Sequence, residues 1–427
     1  MQIKNGKWLK KLLAIWCRET TIMTNYVVIG ASHAGISFVE KMRQQGNQDN
    51  ITVIDRLSGI PLQRPPLSKA YLSADSDDEA PFHLRNHDWF EQQSVTLKDG
   101  ISVERISRDD KSLSLSDGTS VTYDKLILAL GAVPRRLPVP EMDAQNIFVL
   151  RDGVDAKGLR KAMKSAKTAI VIGGGYIGLE AAASLKKQGL DVHVIEAAPR
   201  LLARVASPQI SQAYHQLHQE NGVIIHQNVG VDKLLTTDGA ISGVMLASGE
   251  EISCDLLLVG IGVIPETSLA EQAGLTIGNG LLTDYHYQTN DPDIYAIGDN
   301  VLAEGRGDMR IESIHNAQYG GHYLASRFND EKLPQIEAPW FWSDQYDRKL
   351  QSAGLVPAPA DDVMQATRAG KREGGLSVWS YKSGKLVAVE SINDPQAYMI
   401  GKICLEKGAS PAPADIENPD FELKSLR

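Results

Sequence analysis

Twice along this chain a short β-branched strand runs into a glycine-rich turn, a helix and a second strand that closes on an acid: from Tyr26 to Asp55, and from Thr168 to Glu196. No other feature narrows the fold as much. Each opening strand is apolar throughout, the pattern of a parallel strand covered on both faces, and each helix carries small and apolar residues at helical spacing. Two such units predict an α/β chain with two Rossmann-like, doubly wound parallel sheets. Leu256 to Val259 reads as another buried strand, and Asp293 to Asp299 as one that ends on an acid, Asp299, placed to cap a following helix. From Pro334 the texture changes to tryptophans and alternating strands such as Leu376 to Tyr381 and Lys385 to Val389, which predicts a separate C-terminal α+β module. Prolines and acids from Pro411 to Phe421 read as a solvated tail.

The two turns are not identical. Gly173, Gly175 and Gly178 complete a G-x-G-x-x-G pattern between strand and helix. The first glycine permits the tight turn, the second lets backbone amides approach a pyrophosphate, and the third lets helix and strand pack closely. Glu196 follows at the end of the next strand, where a carboxylate can accept both ribose hydroxyls and repel a 2′-phosphate, which favours NAD over NADP. Arg200 dissents, since a cation there could hold that phosphate; solvation is the plainer role. In the first turn Gly30 and Gly35 are kept, but Ser32 stands where the middle glycine belongs. Its hydroxyl can donate to phosphate, and Asp55 supplies the ribose-binding acid; an ordinary unit without ligand is the bland alternative. Two dinucleotide sites imply one cofactor held permanently and one that comes and goes.

The chain has 427 residues, enough for roughly three domains at about 150 residues each. A formal net charge of -9 argues against a nucleic-acid binder. Cys17, Cys254 and Cys404 lie far apart, so no redox dithiol and no metal site is expected, and the usage suits the cytoplasm. No apolar run reaches the ~20 residues of a membrane-spanning helix. Residues 1–22 read as an over-extended start, because Met23-Thr24 directly precedes the first strand; the rival is a short amphipathic anchor using Trp8, Leu12 and Trp16.

Arg64-Pro65-Pro66-Leu67-Ser68-Lys69 resembles the R-P-P-L-S-K segment of the NADH-dependent ferredoxin reductases of bacterial oxygenase systems, the putidaredoxin reductase and rubredoxin reductase type. Gly175 to Glu180, Gly260 to Pro265, Ala296 to Asp299 and Pro339 to Gln345 are similar to theirs as well, so the likeness spans Met23 to the C-terminal module. It implies a glutathione-reductase-like layout: a discontinuous FAD-binding domain of residues 24–133 and 264–334, an NAD-binding domain of residues 134–263, and a C-terminal α+β domain of residues 335–427. It implies FAD contacts from Ala34, Asp55, Lys69, Val103, Arg151, Asp299 and Ile314, with Asp299 on the ribityl chain and Val103 toward adenine. Gly262 joins the cofactor-binding set, and Trp342 covers the flavin, with Trp340 as readily a core residue. Lys69 and Glu180 resemble the pair that sits against flavin and nicotinamide. Departures are Leu130 where the family usually has threonine, Glu266 where asparagine usually follows, and an acid often one or two places later than Asp55.

The resemblance implies that NADH reduces FAD and that a small iron-sulfur protein, a ferredoxin, takes the electrons singly, approaching past Trp342, Arg348 and Lys349. A flavin disulfide reductase would need a cysteine beside the flavin, and no cysteine lies between Cys17 and Cys254. Rubredoxin reductase, NADH oxidase and an NADH-sensing flavoprotein similar to apoptosis-inducing factor stay open.

Overall fold

The computed structural model describes residues 23–74, 76–305, 307 and 309–427; the N-terminal reading, including Cys17, lies outside the described residues. The first unit is β1 (Asn25–Ile29), α1 (His33–Gln44) and β2 (Asn50–Asp55), with β1 and β2 parallel from Asn25↔Asn50 to Ile29↔Ile54. β3 (Val95–Asp99) continues the sheet beyond β2, and β4 (Lys125–Leu128) beyond β1. Val28, Val53 and Leu126 are fully buried, as strands covered on both faces require. The second unit repeats the plan with β5 (Thr168–Ile172), α2 (Tyr176–Lys187) and β6 (Asp191–Glu196). After it come α3 (Pro208–Glu220), β7 (Ile224–Gln227) and β8 (Leu256–Val259), giving the sheet order β7-β6-β5-β8 with Ile147–Phe148 at the edge.

The chain then returns to the first half, where β9 (Ile294–Ala296) pairs with β4 and α4 (Ile314–Phe328) lies on α1. Gly321 makes that close approach possible: a Cβ there would stand 2.7 Å from the carbonyl oxygen of Ala34 and 2.7 Å from the amide of Phe38. The two crossings between halves pair with each other, Ala132–Pro134 antiparallel to Val263–Pro265. Asp299 does not cap a helix as its sequence position predicts. The next element is a strand, Val301–Ala303, drawn into pairing with Leu281 to Thr283, and α4 begins later with Ser313 as its cap.

The C-terminal module is an antiparallel sheet of β10 (Trp340–Gln345), β11 (Arg348–Gly354), β12 (Val363–Ala369), β13 (Leu376–Lys382) and β14 (Lys385–Ile392), in the order β10-β11-β14-β13-β12. Leu350, Val378 and Ile392 face the second half and share its core with Leu179 and Tyr214. Trp379, Tyr381 and Val389 pack under α5 (Pro395–Lys407) with Ile400 and Cys404. The expected solvated tail is instead docked. Ile416 is fully buried, and Arg368 donates to the carbonyls of Ile416, Asn418, Pro419 and Phe421. Four carbonyls on one guanidinium hold a segment whose composition alone suggests solvation. The whole is the α/β arrangement of two parallel sheets plus an α+β module that the strand patterns predict.

Candidate functional site: a cleft between two glycine turns

Both turns are built alike. Gly30 and Gly173 each have φ +109°, and a Cβ would lie 2.3 Å from the carbonyl oxygen of Ala129 in one and 2.4 Å from that of Gly260 in the other. Gly35 and Gly178 would each place a Cβ 2.1 Å from the carbonyl oxygen of the first glycine, so the helix start can close on the turn only without a side chain. The acids correspond too. Asp55 accepts from the amides of Ala31 at 2.6 Å and Leu57 at 2.8 Å, and Glu196 from those of Gly174 at 2.6 Å and Ala198 at 2.7 Å. Each carboxylate keeps free lone pairs beside the helix N-terminus, where ribose hydroxyls can reach it. Arg56, the residue after Asp55, turns toward Asp152, 3.9 Å off.

The difference sits at the middle glycine. A Cβ on Gly175 would meet nothing within 4 Å, so open space stands over the α2 N-terminus, a place a pyrophosphate can fill. Ser32 occupies the equivalent place before α1, caps no amide with its side chain, and has Arg64 Nε 3.5 Å from its hydroxyl. Arg200 gives its guanidinium to the carbonyls of Ala203 and Ala206, both at 2.9 Å, which leaves it spent on its own loop. Gly262, with φ +102°, lies by Arg204 and Arg135 at the mouth of the second turn. Val103 is away from the main cleft; it opens a strand, Val103–Ser107, two residues after Ile101, whose amide donates to the Asp55 carbonyl.

Between the halves runs a solvent-open cleft enclosing about 890 Å³ of empty space. From the first half Ser32, Ala34, Lys69, Asp299 and Ile314 line it, from the second Ile177 and Glu180, and from the C-terminal edge strand Phe341 and Trp342; Arg151, between the halves, lines it as well. Lys69 Nζ stands 2.7 Å from Glu180 Oε2, with Glu180 only 2% exposed. Ser68 and Ser343 donate to that carboxylate at 2.5 and 2.6 Å. At the opposite end Arg151 meets Asp299 at 3.2 Å, while Arg64 donates to the Arg151 carbonyl at 2.9 Å. Burial and then the neighbouring Arg151 lower the Arg64 pKa, and burial followed by Arg64 and Arg151 pushes His33 down to about 4. Two guanidiniums over a helix N-terminus, with a strand-end carboxylate alongside, suit a dinucleotide diphosphate and its ribose. The residues present therefore fit FAD in the first half and a nicotinamide dinucleotide in the second.

Arg348 is not where it was expected. It pairs with Gln345 in the β10–β11 hairpin and so shares the face turned to α3, lining a separate recess with Tyr214, Leu217 and Glu220. Lys349, exposed and opposite Asp344, is on the face of Trp340 and Trp342. The indole rings of Trp340 and Trp342 lie 5.5 Å apart, and only Trp342 reaches the cleft lining. Sequence reasoning passed over Arg64, Glu312, Phe341 and the two serines on Glu180. Arg64 and Ser68 stand in the R-P-P-L-S-K segment, and Phe341 and Ser343 in the segment Pro339 to Gln345, but the meeting of the two serines on Glu180 depends on elements far apart in the chain.

Residues 24–321 match the family model for pyridine nucleotide-disulphide oxidoreductases, and residues 340–427 match the reductase C-terminal model. The chain belongs to the pyridine nucleotide-disulphide oxidoreductase family and is an oxidoreductase. It is 38% identical to rhodocoxin reductase of Rhodococcus erythropolis over 93% of either chain. Its fold superposes, with a TM-score of 0.90 and 36% identity, on the ferredoxin reductase for the CYP199A2 system of Rhodopseudomonas palustris, covering 94% of this chain and 99% of that one. Putidaredoxin reductase in its covalent complex with putidaredoxin matches with a TM-score of 0.89 and 33% identity, covering 94% and 98%. Among the described residues no helix is long and apolar enough to cross a membrane.

Proposed function

We propose that this chain is an FAD-dependent NADH:ferredoxin reductase that supplies electrons to an oxygenase system. The observation that carries the reading is the cleft lined by Ser32 and Ala34 of the first turn and by Ile177 and Glu180 of α2, the helix that the second turn opens, with the Lys69–Glu180 pair where the two halves meet. When bound, FAD would take a hydride from NADH and release its electrons one at a time, which a nicotinamide alone cannot do. The protein supplies the rest. Gly30, Ser32, Ala34 and Gly35 would present the α1 N-terminus to FAD, with Asp55 on its ribose, Val103 near adenine, and Arg64, Arg151, Asp299 and Ile314 along the cleft. Gly173, Gly175 and Gly178 would do the same for NADH, with Glu196 on the ribose and Gly262 at the mouth. Glu180 would hold Lys69 against the ring edge where charge changes, and Phe341 with Trp342 would keep water from it.

The assigned layout is an FAD-binding part of residues 24–133 and 264–334, an NAD-binding part of residues 134–263 and a C-terminal part of residues 335–427; the mutual pairing of the two crossings supports it. The described cysteines, Cys254 and Cys404, are buried and free, and burial pushes Cys254 up to about 12. Neither lines the cleft, which argues against disulfide chemistry there and is compatible with work in the cytoplasm. The putidaredoxin complex supports an iron-sulfur partner.

Purified protein should be yellow, bleach with NADH without oxygen, and recolour on adding a [2Fe-2S] ferredoxin. Lys349→Glu should slow recolouring several-fold at low salt and leave bleaching unchanged, since the exposed lysine would steer an acidic acceptor. Protein that stays colourless after incubation with excess FAD overturns the reading, and a rubredoxin reduced faster than any ferredoxin redirects the acceptor.

A further inference from the structure

A buried hydrogen-bond chain joins the second half to the C-terminal sheet and ends on Glu180. His218, on α3, has Nε2 2.7 Å from Oε1 of Gln345; Gln345 Nε2 is 3.1 Å from Ser343 Oγ, and Ser343 Oγ is 2.6 Å from Glu180 Oε1. His218 and Ser343 are fully buried and Gln345 is 2% exposed, so water does not compete for these bonds. The other carboxylate oxygen, Oε2, receives Ser68 and Lys69.

The direction of every link follows from the end point. Glu180 accepts at both oxygens, so the one proton of the Ser343 hydroxyl goes to it, and that hydroxyl must accept from its other neighbour. Gln345 therefore turns its amide nitrogen to Ser343 and its carbonyl to His218, which must donate from Nε2. Burial pushes His218 down to about 4, so the ring is neutral at pH 7 and Nδ1 carries no proton. That Nδ1 has no hydrogen-bond partner among the described residues. A buried acceptor left bare is costly and uncommon, and here it is the consequence of fixing the tautomer that serves the chain.

We propose that His218, Gln345 and Ser343 are positioning residues for hydride transfer: a one-way donor chain that fixes the Glu180 carboxylate against Lys69 and, because Ser343 follows Trp342 in β10, sets where that indole enters the cleft. The chain ties α3, β10 and α2 at one carboxylate, so the C-terminal module takes part in building the reaction site. This rests on the reading of Lys69 and Glu180 as the pair beside the reacting rings.

The test is rapid anaerobic mixing of the FAD-loaded protein with NADH, which separates the limiting rate of bleaching from the apparent Kd. Gln345→Leu and His218→Leu are each expected to lower the limiting rate roughly tenfold, the scale of one lost bond toward a charged group, with Kd within about twofold. His218→Gln, which restores an N–H donor, recovers most of the rate. Limiting rates within about twofold of the parent in both leucine variants overturn the proposal; should they fail to fold, Ser343→Ala is judged by the same criterion. A second readout needs no flavin: nitrogen-15 NMR of the FAD-free protein should show His218 protonated at Nε2, and an Nδ1-protonated ring overturns the chain. Glu180→Gln separates the two levels. If it slows reduction and the chain variants do not, the chain alone fails; if it too leaves reduction unchanged, the reading of the site fails with it.

Discussion

The two βαβ units use the same backbone for what their surroundings make into different tasks. Their first and third glycines, their strand-end acids and the amides those acids hold are superimposable in kind and nearly in distance. What differs is what stands over each turn. Above α1 are Ser32, the half-buried Arg64, Arg151 and the packed helix α4; above α2 is open space over Gly175. A site closed in by side chains and two guanidiniums suits a resident cofactor, and a bare helix N-terminus suits one that comes and goes. The comparison teaches that the shared pattern encodes dinucleotide recognition, whereas residence time is set by residues outside it.

The largest effects should come from the glycines that the two turns share. Gly30→Ala puts a methyl group 2.3 Å from a backbone oxygen at φ +109°, and Gly173→Ala does the same at 2.4 Å. Neither backbone can yield cheaply. If the halves differ as argued, Gly30→Ala gives colourless protein, whereas Gly173→Ala keeps its flavin and needs at least roughly a hundredfold more NADH, the loss expected of about 3 kcal/mol. Absorbance of the purified proteins and an NADH titration check this; loss of flavin from both would break the comparison.

Next in size is the acid of the second unit. Glu196→Ala removes the carboxylate expected on the NADH ribose, with hydrogen bonds worth about 1.5–3 kcal/mol, so KM for NADH should rise roughly tenfold or more while flavin content stays full. NADPH should gain relative to NADH because the repelling charge is gone, and the gain should be modest because the Arg200 donors are already engaged by Ala203 and Ala206. Steady-state rates with both nucleotides measure it. Asp55→Ala, the matching change in the first unit, should instead lower FAD retention during dialysis.

The C-terminal module also clamps the second half through a buried carboxylate. Glu390, fully buried on β14, accepts from the Ser207 amide at the start of α3, 3.1 Å from each carboxylate oxygen. Burial raises it to about 7, against smaller lowering by Ser207 and Arg200. Its folded pKa lies above the unfolded one, so the folded state binds more protons between pH ~4.5 and ~7. This group's contribution is fully present below that window and is lost as pH rises through it. Glu390→Gln, which keeps the acceptor and drops the charge, should flatten the fall in Tm across the window and raise Tm above pH 7 by several degrees. An unchanged pH dependence would show that the clamp is not ionising.

Much of this was legible in the sequence wherever the partners lie close along the chain. Gly173, Gly178 and Glu196 follow one another within a single unit, so their spacing specifies their geometry. Lys69 and Glu180 are 111 positions apart by number and became a pair only through family likeness, and Ser343, Gln345 and His218 needed three elements to be packed first. Arg348 was misplaced because neighbouring residues of a strand point to opposite faces, and the sequence of one hairpin does not say which face meets α3. The docked tail is not legible because Ile416 and Leu423 are isolated apolar residues among acids and prolines, and the Arg368 that bonds to the Ile416 carbonyl lies 48 residues back.

The smallest change is the sharpest test of the comparison. Ser32→Gly erases the one difference within the motif itself, giving the first turn the sequence pattern of the second. If residence is set by Arg64, Arg151 and α4, FAD should stay bound, with retention falling only about tenfold through one lost hydrogen bond to a phosphate. If the serine is what distinguishes the turns, the flavin should come off on gel filtration as readily as NADH does. Arg64→Leu supplies the opposite arm: the hydroxyl remains, the guanidinium 3.5 Å from it goes, and retention should fall far more than in Ser32→Gly. The ratio of the two losses, read from flavin absorbance after exhaustive dialysis, measures how much of the cofactor's residence belongs to the motif and how much to what was built over it.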